Sequence, residues 1–246
     1  MIVYFLFFLT IVLPVVLWVL FLRGSDLSEP EPGKLMRKCF YSGFFVVILA
    51  GVLELVIFSL AGLPTNLLGQ VTQLDWRILS LGAIIIGIVE EVVKYAVLRA
   101  TVFYSHDFNQ IFDGIVYGIT VALGFSIAEN ILYFLEFSEY STGNFIFAAL
   151  FRALFSTLLH VMTAGIMGYY LGKAKFSLNN KKMYIVTGLV SAILIHAIFD
   201  FVIFSSVTIV TLCTFIALIG AFGVFTRLWT HPEVRMIWRF DLQQGK

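Results

Sequence analysis

Residues 77–102 read RILSLGAIIIGIVEEVVKYAVLRATV, an apolar run with Arg77 and Arg99 toward its ends and Glu90, Glu91 and Lys94 in its interior. A bilayer core is about 30 Å thick and a helix rises about 1.5 Å per residue, so this stretch is long enough to cross it. The rest of the chain has the same character. It is 60% hydrophobic and 13% charged, where soluble domains run at roughly 45–50% and 25%. Its mean hydropathy is +0.98. Hydropathy places spans near 2–22, 39–61, 77–102, 111–137, 144–172, 183–205 and 207–228. The expectation is an all-α, polytopic transmembrane bundle of seven spans with room for an eighth, forming one integral-membrane domain over 1–246. Its core lies at about 77–205, and the polar breaks 24–38 (GSDLSEPEPGKLMRK) and 173–182 (KAKFSLNNKK) are loops.

A formal net charge of +1 offers no concentrated basic face, which excludes nucleic acid as a partner. Cys39 and Cys213 share no metal-type spacing and lie near opposite ends of their spans, so a disulfide framework is not expected. The N-terminal run lacks a basic leader and an A-x-A-like cleavage site, so it reads as a retained first helix. Orientation follows from the basic residues. With seven alternating spans, Arg23, Lys34, Arg37, Lys38, Arg99, Lys173, Lys175, Lys181, Lys182, Arg227, Arg235, Arg239 and Lys246, or 13 of 16, fall on one side. That side is cytoplasmic by the positive-inside rule, which puts the N-terminus outside, the C-terminus inside and the chain in the inner cell membrane. Gly114, Gly118 and Ala122, and likewise Gly168 and Gly172, recur at four-residue spacing, the pattern of closely packed membrane helices. The tail from Trp229 to Phe240 mixes Trp, Arg and apolar residues, as an interfacial segment does.

An ionisable side chain at the bilayer centre costs from about 2.5 to over 10 kcal/mol depending on the scale, so each one calls for a reason. Within the spans stand Glu54, Glu90, Glu91, Lys94, Glu129, Arg152, His160, His196 and Asp200. Five carboxylates face two cations if the histidines are neutral. Either protons or a bound divalent cation must balance the excess.

The sharpest local motif is EEVVK at 90–94, which puts Glu90 and Lys94 on one helical face with Glu91 rotated by about 100°. Its plain reading is an internal ion pair. GFSIAENILYF supplies Glu129, as metal ligand, water-holding base or proton-sharing partner of Glu90 or Glu91. In the same run Asn130 serves either a substrate carbonyl or a cross-helix hydrogen bond. Arg152, Ser156 and His160 follow at four-residue steps, with Thr163 beyond them. Alone, His160 reads as an interhelical hydrogen bonder. IHAIFDF sets His196 and Asp200 at i, i+4, where the carboxylate can hold the imidazole in one tautomer or join it as a ligand. Together these are the parts of a hydrolytic zinc site: nitrogen and carboxylate ligands plus a separate carboxylate as general base.

EEVVK at 90–94, FDGIVYGITVALGFSIAEN at 112–130, RALFSTLLHVMTAGIMGYYLGKAK at 152–175 and IHAIFD at 195–200 resemble the PrsW-type intramembrane proteases. That family is distantly similar to the CAAX prenyl protease and bacteriocin-processing group. The resemblance covers about the central half of the chain, and its specificity lies in the order of the motifs on successive helices. It implies that Glu90, Glu91 and His160 are essential, with Glu129, His196 and Asp200 completing the site. It also implies a peptidase acting on a membrane-anchored protein, in bacteria often an anti-sigma factor cut on its extracytoplasmic side. Relative to the CAAX group, this sequence has EExxK for EExxxR, Glu129 where histidine is usual and Asp200 where asparagine is usual.

The resulting expectation is hydrolysis by a water that Glu90 activates, with Glu91 assisting and His160 contributing to catalysis. Glu129, His160 and His196 are the expected zinc ligands, and Asp200, Asn130 and Lys94 orient them. The substrate is a single-span membrane protein met in the bilayer. Two other readings stand beside it. One is a metal-free glutamate protease in which Glu90 and a histidine hold the water. The other is a proton-coupled transporter, against which count the lack of repeated halves and of paired proline-interrupted helices. Glu54 lies outside every resembling motif and is assigned no role.

Overall fold

A computed structural model describes residues 5, 8–25, 30–64, 75–137, 155–205 and 223. Among them the chain is helical, without strands. A π-helical turn at Phe8–Val12 leads into α1 (Leu13–Ser25). There follow α2 (Gly33–Ala61), α3 (Trp76–Val102), α4 (Ile111–Phe137), α5 (Thr157–Phe176) and α6 (Lys181–Ser205). The span expected at 207–228, the start of the span expected at 144–172, Arg152, Cys213 and the tail at 229–240 lie outside the described residues.

Among the described residues, three helices are long and apolar enough to cross a membrane: Gly33–Ala61, Ile111–Leu135 and Lys181–Ser205. α2 starts at Gly33, inside the break expected at 24–38, because its first turns carry Lys34, Arg37 and Lys38 and are invisible to hydropathy. Its backbone begins directly after Pro32 and stops at Gly62, whose φ of 66° is a left-handed conformation that suits glycine. There the Leu63 N–H reaches back to the Phe58 carbonyl at 2.9 Å. α3 starts where Asp75 Oδ1 accepts from the Arg77 N–H at 3.1 Å. α5 runs on to Phe176 and α6 begins at Lys181, so the break expected at 173–182 narrows to a few residues.

The helices α2, α4, α5, α6 and α3 are neighbours in that order, and α3 returns to α2, closing a ring. α4 is the buried member: Ile115, Val116, Tyr117, Ile119, Leu123 and Phe125 are covered on all sides. Glycine allows this closeness. A Cβ on Gly114 would collide with the Gly168 carbonyl, and one on Gly168 with the Gly114 carbonyl. Gly43 of α2 and Gly124 of α4 lie likewise against the backbones of Val121 and Phe40. The small-residue spacing at Gly114, Gly118, Gly168 and Gly172 is therefore the α4–α5 contact. On the far side of α2, Phe45, Ile48, Leu49, Val52 and Leu60 are exposed, a face suited to lipid.

Candidate active site

The ring gathers four polar segments around one point. α3 brings Glu90, Glu91 and Lys94, α4 brings Glu129 and α5 brings His160 and Thr163, with Ser156 just ahead of its first turn; α6 adds His196 and Asp200. Glu91 and His160 are each 1% exposed and His196 2%.

Lys94 holds the inner part together. Its Nζ donates to Glu91 Oε1 at 2.7 Å and to Glu90 Oε2 at 3.5 Å. It also lies 2.9 Å from His160 Nδ1 and 4.5 Å from the centre of the Phe125 ring. The shared face of Glu90 and Lys94 is thus present, but the shorter bond goes to Glu91, since i+3 and i+4 neighbours are both within reach on a helix. Thr163 Oγ1 donates to Glu91 Oε1 at 3.1 Å, and His196 Nδ1 lies 2.7 Å from the same oxygen.

These contacts orient both imidazoles. An ammonium has only donors, so His160 Nδ1 is an acceptor and its Nε2–H donates to Glu129 Oε2 at 2.8 Å. The Ser156 hydroxyl is 3.3 Å from that Nε2. His196 sets its Nδ1 against Glu91 and its Nε2 3.4 Å from Asp200 Oδ2, so both of its ring nitrogens face carboxylates. Each histidine therefore gives one ring nitrogen to a carboxylate, and the other lies near Glu90 with a closer neighbour beside it, Lys94 at His160 Nδ1 and Asp200 at His196 Nε2. Glu90 Oε2 lies 3.9 Å from His160 Nδ1 and 3.7 Å from His196 Nε2. Those separations are too long for hydrogen bonds, and on the His160 side the Lys94 ammonium bridges the two, 2.9 Å from Nδ1 and 3.5 Å from Oε2.

Among the described residues, Glu90, His160 and His196 form the group able to hold a metal ion, each offering one ligand atom with all within 4.8 Å of one another. Two imidazole nitrogens, a carboxylate oxygen and carboxylates behind both imidazoles are the donor set of an open catalytic zinc site, so the residues fit the group. The expected set had Glu129 as third ligand; here Glu129 stands behind His160 and Glu90 takes the inner position. Asp200 lies beside His196 as expected. Asn130 turns to its neighbouring helix, its Nδ2 donating to Thr157 Oγ1 at 3.3 Å. Sequence reasoning passed over Phe125, whose ring supports Lys94 and lies 5.3 Å from the His160 ring. Its signal was position: it precedes Glu129 by one helical turn.

A family model described as "PrsW family intramembrane metalloprotease" matches residues 31–226. Protease PrsW of Clostridioides difficile is 30% identical over 198 residues, which is 80% of this chain and 78% of that protein. Protease PrsW of Oceanobacillus iheyensis is 37% identical over 127 residues, 51% of this chain and 56% of that protein. Protease PrsW of Bacillus subtilis is 37% identical over 118 residues, 48% of this chain and 51% of that protein. The shared region thus spans about half the length of the last two relatives. No solved structure matches the chain. With a family match over most of its length and a relative aligned along more than three quarters of both sequences, the chain belongs to the PrsW family of intramembrane proteases, which the matched model describes as metalloproteases.

Proposed function

We propose that the chain hydrolyses a peptide bond of a membrane-anchored, single-span protein at the point enclosed by Glu90, His160 and His196. The observation that carries this reading is the pair of imidazoles, each backed by a carboxylate and each with its second ring nitrogen within 4 Å of Glu90 Oε2.

In this mechanism the attacking water sits beside the Glu90 carboxylate, at the point that Glu90 shares with His160 and His196. Glu90 takes its proton and passes it to the leaving amine. Glu91 bonds to Lys94, Thr163 and His196, so it positions the base and the second imidazole and does not itself receive the proton. Glu129 and Asp200 hold the two rings in place. His160, His196 and one oxygen of Glu90 would hold the metal, leaving the other Glu90 oxygen as the base, and a zinc ion there would polarise the scissile carbonyl and lower the pKa of its water.

A metal-free glutamate mechanism is the second reading. It is favoured by Lys94, whose ammonium already lies against His160 Nδ1 and supplies positive charge to the carboxylates. The seven-span topology, with the N-terminus outside the inner membrane and the C-terminus in the cytoplasm, belongs to the same proposal and is supported by the distribution of basic residues. So does a substrate of the anti-sigma-factor kind.

The test is reconstitution of purified protein in liposomes with a single-span peptide, with products mapped by mass spectrometry and metal measured on the same sample. The proposal expects cleavage at a defined bond and about one zinc per chain. Cleavage without stoichiometric metal moves the assignment to the glutamate mechanism. Proton flux that requires Glu90, without any cleavage, contradicts both.

A further inference from the structure

Glu54 has no role in the chemistry above, yet it lies near it. It is half-buried and belongs to the stripe of α2 that carries the buried Val47, Ala50 and Phe58. Its Oε1 is buried and has no hydrogen-bond partner. The charged side chains that act on it through space are Glu90, Glu129, Asp200 and His196, from three other helices of the ring. The site's own cation, Lys94, is occupied by Glu91, His160 and Glu90.

The surroundings of Glu54 are open on one side. Leu53, Leu55 and Val56 beside it are exposed to the lipid-facing surface. Gly51, one turn earlier, has nothing within 4 Å of where a Cβ would stand. Glu54 therefore marks a border between the lipid-facing surface and the site. A second acceptor in the bundle is also unused: Asn130 Oδ1 is buried without a partner while its Nδ2 is held by Thr157.

Buried acceptors without donors are costly, and here they flank a site that must take a helical substrate apart. A transmembrane helix satisfies its own backbone; once it unwinds to expose a scissile bond, its N–H groups lose their partners in a medium without water. We propose that Glu54 is a substrate-binding residue of this site, its Oε1 accepting a backbone N–H released when the substrate helix unwinds beside Glu90. The proposal rests on the hydrolytic reading above. A carboxyl group keeps an acceptor oxygen whether or not it carries a proton, and so does the amide of glutamine.

The experiment compares Glu54→Leu and Glu54→Gln with wild type on a fluorogenic single-span peptide in detergent. It also measures the peptide's Kd in a Glu90→Gln background, where binding is read without cleavage. A set of peptides in which single backbone N–H groups near the cut are replaced by ester oxygen completes it. Loss of a hydrogen bond to this group predicts that Glu54→Leu raises KM and Kd about 10- to 100-fold while kcat changes little, and that Glu54→Gln stays within about threefold. One ester peptide should bind wild type as weakly as the parent peptide binds Glu54→Leu, and replacing Glu54 should weaken it no further. Unchanged KM and Kd in Glu54→Leu overturn the proposal, as does a glutamine variant as impaired as the leucine one. Should Glu54→Leu fail to fold, the ester peptides on wild type and Glu54→Gln decide: one position with unequal losses supports the proposal, and equal losses at every position overturn it. A wild type that binds the peptides and cleaves none contradicts the hydrolytic reading, not this one.

Discussion

Replacing Lys94 by methionine removes the cation on which the inner half of the cluster is built, while keeping an unbranched side chain of similar reach. The ammonium is 3% exposed and lies 2.7 Å from Glu91 Oε1, 2.9 Å from His160 Nδ1 and 3.5 Å from Glu90 Oε2, above the Phe125 ring. Its loss leaves Glu91 with only Thr163 and His196 as donors. Removing one partner of a buried ion pair costs about 3–5 kcal/mol, chiefly because the other charge stays behind. The cation–π contact with Phe125 belongs within that figure, since neighbours in one network do not add. The companion variant Lys94→Met/Glu91→Gln takes away both charges and should recover about 2 kcal/mol. The assay is reversible unfolding in mixed micelles titrated with a denaturing detergent, followed by far-UV circular dichroism. A cost below about 1 kcal/mol for Lys94→Met, or a double variant no better than the single one, would refute the reasoning that Lys94 balances this cluster.

Gly168→Ala, which would drive a methyl into the Gly114 carbonyl, should lower stability by about 1–3 kcal/mol in the same titration. Gly51→Ala, with open space around its Cβ, should leave it unchanged or raise it by up to about 1 kcal/mol. Glu129→Gln weakens the acceptor behind His160 Nε2 and should lower zinc affinity about 10- to 100-fold in a competition titration with a chromophoric chelator. Lys175, at the loop end of α5, donates to the Ser105 carbonyl at 2.7 Å, and burial pushes its ammonium down to about 8. The unfolded chain then holds more protons than the folded one between about pH 8 and the ordinary lysine value near 10.4, so stability rises with pH there. Lys175→Met should flatten that rise in a pH series of melting curves.

The lengths of α3 and α4 were legible because their apolar runs end where the helices do, at Val102 and Phe137. The start of α2 was not: hydropathy reports where lipid begins, and a helix continues past it into charged residues such as Lys34 and Arg37. The membership of the site was readable for a related reason, since a carboxylate or imidazole in an apolar helix is conspicuous in any sequence. Its internal order was hidden. Whether Glu90 or Glu129 takes the place between the two imidazoles depends on how α3 and α4 are rotated in the ring, which no single helix encodes. Glu54 was conspicuous but mute, because its significance lies in the helices opposite it. Phe125 looked like any other core aromatic.

The most direct test of the central claim is the cleavage rate of a single-span peptide by wild type and by folded Glu90→Gln in the same liposomes. If Glu90 is the base at a shared site with His160 and His196, the variant should bind the peptide and cleave it at least about 100-fold more slowly. Cleavage by Glu90→Gln at the wild-type rate would contradict the account.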